Sequence, residues 1–456
     1  MSLPTNFPLY CVASSDALGG VVIAGGGGGT SKVGIPNAIT VMTWDETAHS
    51  LTPVLTYDEI NDVVLNIALQ APNPDKLLVA FGHGNSCSLM TLTKEKPKAG
   101  KKEEKGKKEM AKEKEGEKAK EKEEIAFKFS NRKTVEVIER PKPAKEDDDD
   151  DDEEDLEQTS VAFMTGARST ECGIACGLST GAIKIFNMNF ELAQEIPADK
   201  DCGAANSIDC NERHVLATFA DGKVRKWRRV ANTLKVEAEC ELVAGPQDQG
   251  FSVPVKPPPR PKFGASSPAK PLFKYAKFVP KKKDEEKKEK SEKGKEEPED
   301  ECFVVAGTLA TNSWVAATAT AVKAKGKDKE QKAPVAVAVA TKTSRHTSLA
   351  VSENHIAMAT NDGEVIVHEN RAPASVRRLC VLKKVHGFVA TGVAFTPCGA
   401  SHVVSVGLDN HICVSEIRKS GSKPLTFLLL FIALLAICAA VLSQAGFIER
   451  PQQIAN

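Results

Sequence analysis

The sequence predicts an all-β protein built as a propeller, broken by charged insertions and followed by one C-terminal hydrophobic helix. Three observations predict it. Short apolar runs recur in one order: strand, short loop, strand, tight Asp/Gly turn, strand. Blocks rich in Lys and Glu, or in Asp and Glu, separate these units without adding apolar residues. Close to the C-terminus a long apolar run carries no charge.

The first unit starts with a buried strand at Gly20–Ala24, runs into five glycines, Gly25–Gly29, and returns through Lys32, Gly34, Ile35, Pro36 and Asn37 to a second strand at Ala38–Trp44. The next units are legible as strand triplets. Asn66–Leu69 leads to Lys76–Phe81 and Ser86–Leu92, and Ser160–Met164 leads to Gly173–Gly177 and Ala182–Phe186. Ala205–Cys210 and His214–Phe219 are followed by the turn Asp221-Gly222 and then Lys223–Trp227. Phe273–Val279 and Cys302–Thr308 read as strands split by an insertion, with Ser313–Thr320 as a third. Thr347–Val351, His355–Thr360, the turn Asp362-Gly363 and Glu364–His368 form another unit, and Thr391–Phe395, His402–Gly407, Asp409-Asn410 and His411–Ile417 form the last. In that last unit His386, Ser405 and Asp409 fall where a WD-type repeat carries the side chains that brace a blade, with Ser415 in place of its Trp; Trp227 fills the Trp position of its own unit. His386 and Asp409 are therefore read as blade bracing, not as an acid–base pair.

The insertions fall at about 94–124, 140–158, 245–300 and 321–334. Such segments lack the apolar surface to offset ordering entropy and are expected to be disordered. Formal net charge is +0, from 61 Lys and Arg against 61 Asp and Glu, so charge gives no reason to expect a nucleic-acid partner. The 12 cysteines form no CxxC, and most lie inside apolar strand runs, as expected in a reducing compartment. The N-terminus has neither a basic region nor an apolar core of signal-peptide type. Residues 1–419 are thus expected to form the propeller, 425–448 a transmembrane helix and 449–456 a short tail. Arg418, Lys419 and Lys423 precede the span and only Arg450 follows it, which places the propeller in the cytosol and the tail in the lumen.

The glycine run is neither of the common phosphate-binding motifs. Lys32 lies between Ser31 and Val33 rather than after a Gly, and no third glycine of a dinucleotide fingerprint opens a helix. A glycine loop between two strands can turn carbonyls on a cation or amides on an anion, or it can be a flexible hairpin tip. No catalytic triad, HExxH or metal-spaced cluster is present, so no enzyme activity is expected.

The glycine loop, the WD-like propeller and the C-terminal span together resemble one family: the endoplasmic-reticulum membrane exchange factors for the small GTPase that starts COPII coat assembly, the prolactin regulatory element-binding protein family. The loop carries the resemblance through Gly25–Gly28, Lys32, Gly34, Ile35 and Asn37, with Gly29 as one extra residue. The resemblance implies a seven-bladed propeller whose loop is ordered by a potassium ion and contacts the GTPase. On that basis Gly28, Gly29, Lys32, Gly34, Ile35, Pro36 and Asn37 are the expected exchange loop, and the carbonyls of Gly26, Gly27, Gly28 and Gly34 the expected potassium ligands. Ile35 offers an apolar plug and Asn37 an amide for backbone. A membrane-anchored scaffold without exchange activity shares every feature except the loop. A DNA-binding role ranks last, because the basic runs mix Lys with Glu.

Overall fold

The computed structural model describes residues 1–30, 34–95, 126–138, 158–164, 172–230, 233–243, 272–280, 302–309, 312–319, 337–340, 345–371, 375–399, 401–417 and 423–444. Its first compact unit is Met1–Glu416 and its second Ile417–Asn456.

Among the described residues of the first unit, apolar alternation and tight turns build seven four-stranded antiparallel sheets. The first sheet holds β2 (Leu9–Ser15), β3 (Val21–Gly26), β4 (Ala38–Asp45) and β5 (Ser50–Tyr57). The second holds β6 (Val64–Asn73), β7 (Lys76–His83), β8 (Ser86–Glu95) and β9 (Ala126–Glu136). In the third are β10 (Gln158–Met164), β11 (Gly173–Leu178), β12 (Ile183–Asn187) and β13 (Leu192–Ile196). The fourth comprises β14 (Ala205–Cys210), β15 (His214–Phe219), β16 (Lys223–Arg229) and β17 (Val236–Val243). The fifth comprises β18 (Leu272–Phe278), β19 (Cys302–Leu309), β20 (Asn312–Ala319) and β21 (Val337–Ala340). The sixth is β22 (His346–Val351), β23 (His355–Thr360), β24 (Val365–Arg371) and β25 (Ser375–Leu382). The last combines β26 (Ala390–Phe395), β27 (His402–Gly407) and β28 (His411–Glu416) with the N-terminal β1 (Ser2–Pro4), which pairs with β28 from Ser2 opposite Cys413 to Pro4 opposite His411.

The leading strands neighbour one another in a closed circle: β2 with β6, then β10, β14, β18, β22, β26 and β2 again. Each carries a bulge at the same place in its pairing with the second strand of its sheet, between Leu9/Cys11, Val64/Asn66, Gln158/Ser160, Ala205/Ser207, Phe273/Tyr275, His346/Ser348 and Ala390/Gly392. A bulge turns a side chain aside from the ladder. Several side chains beside the bulges donate to a backbone carbonyl of the next leading strand. Thr391 Oγ1 donates to Leu9 O at 2.6 Å, Cys11 Sγ to Val64 O at 3.5 Å and Asn66 Nδ2 to Gln158 O at 3.3 Å. Thr159 reaches Ala205 O, Lys274 Nζ reaches His346 O and Thr347 reaches Ala390 O. The ring is thereby bolted near its axis by hydrogen bonds between sheets, while apolar side chains fill the space between their faces.

Second strands are the most buried. β3, β11, β15 and β27 have no exposed residue, because sheets pack on both of their faces. Fully burying one Val, Leu, Ile or Phe contributes about 1.5–3 kcal/mol, and Phe7, Phe81, Phe273 and Phe303 are all covered.

Four sequence boundaries are corrected. β2, with β1 before it, occupies the stretch tested only as a signal peptide. Gln158, assigned to the 140–158 insertion, is fully buried at the start of β10. The bounds 245–300 take in β18, the hydrogen-bonded strand read at Phe273–Val279, and the 94–124 insertion begins inside β8. The remainder of these insertions, and 321–334, lies outside the described residues.

In the second unit the helix α1 (Lys423–Gln444) has 22 residues. Its described side chains run only from residue 431 to 441, and all are exposed. Among the described residues no helix is long and apolar enough to cross a membrane.

Candidate functional site

The glycine run is divided between sheet and loop. Gly25 and Gly26 belong to β3, and Gly26 lies opposite Leu9 on one side and Ala38 on the other. The expectation that all five glycines form the loop is corrected: the ladder extends two residues further, since glycine at these positions lets neighbouring chains come close. The loop proper is 27–37, of which 31–33, Lys32 included, lie outside the described residues.

Asn37 decides the loop's shape. Its side chain is buried and bonds both backbone groups of one residue: Gly29 N donates to Asn37 Oδ1 at 2.9 Å, and Asn37 Nδ2 donates to Gly29 O at 3.0 Å. An amide used this way continues the ladder with a side chain in place of backbone. At the loop's base Gly27 N donates to Pro8 O at 3.0 Å. The two arms press together so closely that only glycine fits: a Cβ on Gly27 would lie 2.1 Å from Asn37 Oδ1, and one on Gly28 would lie 2.7 Å from Ile35 Cβ. Gly27, Gly29 and Gly34 hold positive φ, at 144°, 76° and 79°. Asn37 thus spends its amide on its own loop. Ile35 is 39% exposed at the tip, Gly34 has no neighbour within reach of a Cβ, and Pro36 is half-buried between them.

The connections between second and third strands open on the same end of the ring as those between one sheet and the next. The glycine loop shares this end with the 5–8 segment, the 58–63 segment and the turn at Asp409.

The predicted brace is present in the last sheet. His386 Nδ1 meets Asp409 Oδ1 at 3.0 Å, His386 Nε2 meets Ser405 Oγ at 2.9 Å, and Gly387 N donates to Asp409 Oδ2 at 2.9 Å. Burial pushes the Asp409 carboxyl up, but the Gly387 amide and the His386 imidazole outweigh it and hold the pKa below its usual value. Trp227 is buried on β16 and braces by packing, its ring edge-on to Phe219 at 6.2 Å, in a core that also takes Met164 and Ile183 from the third sheet.

Other arrangements escape sequence reasoning because their members come from distant segments. In the second sheet His83 Nε2 meets Ser88 Oγ at 2.9 Å, and Ser88 meets Thr134 at 2.7 Å; burial and the Arg132 charge lower the His83 pKa to about 4. A cavity of about 440 Å³ on the third and fourth sheets sets Arg225 among Asp199, Asp221 and Glu241, with Arg225 lying 4.5 Å over the Phe219 ring. The axial channel encloses about 1010 Å³ and is lined by Tyr10, Asn66, Tyr275, Lys277 and Glu353 among others. Among the described residues no three His, Cys, Asp or Glu side chains are grouped to hold a metal ion.

No protein-family model matches the chain, and no curated protein matches it. Solved structures do. Raptor from Chaetomium thermophilum aligns with 91% of this chain at a TM-score of 0.51 and 10% identity; the chain spans 29% of the Raptor chain's length. Sqt1 from the same organism aligns with 92% of this chain and 96% of its own at 0.49 and 13%. Sqt1 bound to the N-terminus of the ribosomal protein L10 aligns with 90% and 97%, again at 0.49 and 13%. Identity this low shows the fold alone: the chain is a β-propeller.

Proposed function

We propose that this chain is a guanine-nucleotide exchange factor anchored in the endoplasmic-reticulum membrane, a seven-bladed propeller that presents its glycine loop to the small GTPase of the COPII coat. The observation that carries the reading is the loop itself: a run of glycines latched by Asn37 that holds one apolar side chain, Ile35, out of the ring. A flexible hairpin tip has no use for a buried amide bonded to both backbone groups of one residue. An exchange factor forms and breaks no covalent bond. It binds the nucleotide-free GTPase more tightly than the loaded form and, by linkage, weakens nucleotide binding by the same factor. Pre-shaping the loop removes part of the ordering cost from that encounter.

A potassium ion is part of the proposal. Of the four glycines expected to ligate it, Gly26 is a ladder residue, so the loop carbonyls are those of Gly27, Gly28 and Gly34. Carbonyl oxygens on tightly folded glycine backbone suit a large monovalent cation. Held by those three carbonyls, the ion would supply a positive charge that offsets the repulsion between their dipoles. Lys32 adds charge complementarity to the GTPase. The uncharged apolar run 425–448 of the sequence is the proposed anchor, with the propeller cytosolic and 449–456 lumenal.

The test is release of labelled GDP from the purified GTPase, with the full chain in liposomes and Ile35→Ala beside it. Acceleration by the wild type and its loss in Ile35→Ala support exchange. Binding of the GTPase without accelerated release leaves the alternative, a membrane-anchored scaffold.

A further inference from the structure

The glycine loop is too small to be an interface alone. A stable protein–protein contact takes about 800 Å² and roughly 20–30 residues from each partner, whereas the described loop exposes Thr30, Gly34 and Ile35. The rest of the footprint must lie on one side of the loop or the other.

The two sides differ. Toward the second sheet the 58–63 segment offers the carboxylates of Asp58, Glu59 and Asp62 and no large exposed apolar side chain. Toward the last sheet the surface carries exposed apolar side chains and two lysines, beside the carboxylates of Asp362 and Asp409. Among the described residues of the first unit, the large apolar side chains most open to solvent are Met1, Ile35, Leu192, Phe388 and Leu408. Phe388 is 70% exposed, on the segment that enters β26, and Leu408 is 38% exposed, on the turn between β27 and β28. Both connections open on the end of the ring that carries Ile35. The 5–8 segment ties the two places together: Thr5 N donates to Asn410 O at 2.7 Å, and Pro8 O accepts from Gly27 N at 3.0 Å. Lys383 and Lys384 are exposed on the same segment as Phe388. The patch is held rigidly, since Leu408 N donates to Val389 O at 3.1 Å and Gly387 N to Asp409.

We infer that the docking surface extends from Ile35 across the 5–8 segment onto the last sheet, where Phe388 and Leu408 are apolar anchors and Lys383 and Lys384 a basic rim. This rests on the proposed exchange function, and the occupant is the same GTPase. The face it presents must pair an apolar patch with flanking carboxylates. An exposed aromatic beside a rigid backbone is the type of residue on which binding energy concentrates, and rim charges act mainly on the association rate.

The experiment measures binding of nucleotide-free coat GTPase to the full chain in nanodiscs. Phe388→Ser/Leu408→Ser is expected to weaken binding at least about tenfold with an unchanged melting temperature. Lys383→Glu/Lys384→Glu is expected to slow association and flatten its salt dependence. Wild-type affinity in the first variant overturns the inference. If Ile35→Ala loses affinity while both patch variants keep it, the patch is wrong and the loop reading stands. If the wild-type chain does not bind the GTPase, both fall together. A shift from dimer to monomer in Phe388→Ser/Leu408→Ser, with GTPase affinity kept, makes the patch a self-contact and overturns the inference as well. The lysine variant decides the matter should the apolar one fail to fold.

Discussion

Removing the Asn37 side chain with Asn37→Ala deletes both bonds to Gly29, the 2.9 Å bond from Gly29 N and the 3.0 Å bond to Gly29 O. A net hydrogen bond contributes about 0.5–1.5 kcal/mol, so the pair holds the loop closed by about 1–3 kcal/mol, a factor of about 5 to 150 in opening. Amide hydrogen exchange on the fragment 1–416 reads this directly. Protection at Gly29 should fall by that factor, while β3, whose residues are all buried, stays as slow as in the wild type. Asn37→Asp keeps an acceptor for Gly29 N but sets an oxygen against Gly29 O, so it should do no better than Ala. Undiminished protection of Gly29 in Asn37→Ala would refute the latch, and with it the argument that the loop is pre-shaped.

Acid should weaken the ring well before ordinary carboxylates titrate. Burial lowers the pKa of His346 and of His368 to about 3 each, so between there and 6.5 the unfolded chain binds protons that the folded chain does not. Stability therefore falls with pH through that window, and at pH 5 each contributes a loss of about 2 kcal/mol. The urea midpoint from pH 7 to 5 measures it, and His368→Leu should flatten the slope. Asp409→Ala should cost about 2–4 kcal/mol by removing charge-assisted bonds to His386 and Gly387, read as a lower melting temperature; with the Asp409 pKa held below its unfolded value, the wild-type advantage is present above the usual carboxylate range and fades as pH falls through the folded pKa. Trp227→Ala should cost about 3–5 kcal/mol by opening a cavity, a melting shift that leaves Gly29 protection intact. Loop protection should be greater in potassium chloride than in lithium chloride, and equal protection would remove the ion from the proposal.

What the sequence made legible is what repeats locally. Alternation and the Asp221-Gly222 and Asp362-Gly363 turns mark the inner strands, since each is fixed by neighbours a few residues away. His386, Ser405 and Asp409 were readable because one unit supplies all three. The outer strands were not: β5, β9 and β13 are mostly exposed or half-buried, so their apolar residues form no continuous buried run. Nor was the end of β3 within the glycine run, where the close approach of Leu9 and Ala38 decides the boundary. Asn37 was expected to offer its amide to backbone, and it does, but the backbone is its own, a partner eight residues back that no local pattern marks. The Arg225 cavity and the neighbourhood of Ile35 and Phe388 depend on chain segments that only the closed ring brings together.

The pairing of β1 with β28 has a consequence in time. Thr5 and Asn410 are separated by 405 residues in sequence, yet their bond helps shut the last sheet. During synthesis β1 is made long before its partner strand, so β1 waits as an unpaired edge while the intervening sheets form, and loop-closure entropy is met only when β28 arrives. That step completes the 5–8 segment, which touches Asn410 on one side and Gly27 on the other. A nascent chain therefore has no finished surface at the glycine loop until the circle is sealed, and a chain stalled before β28 exposes strand edges while lacking any face that a partner could recognise.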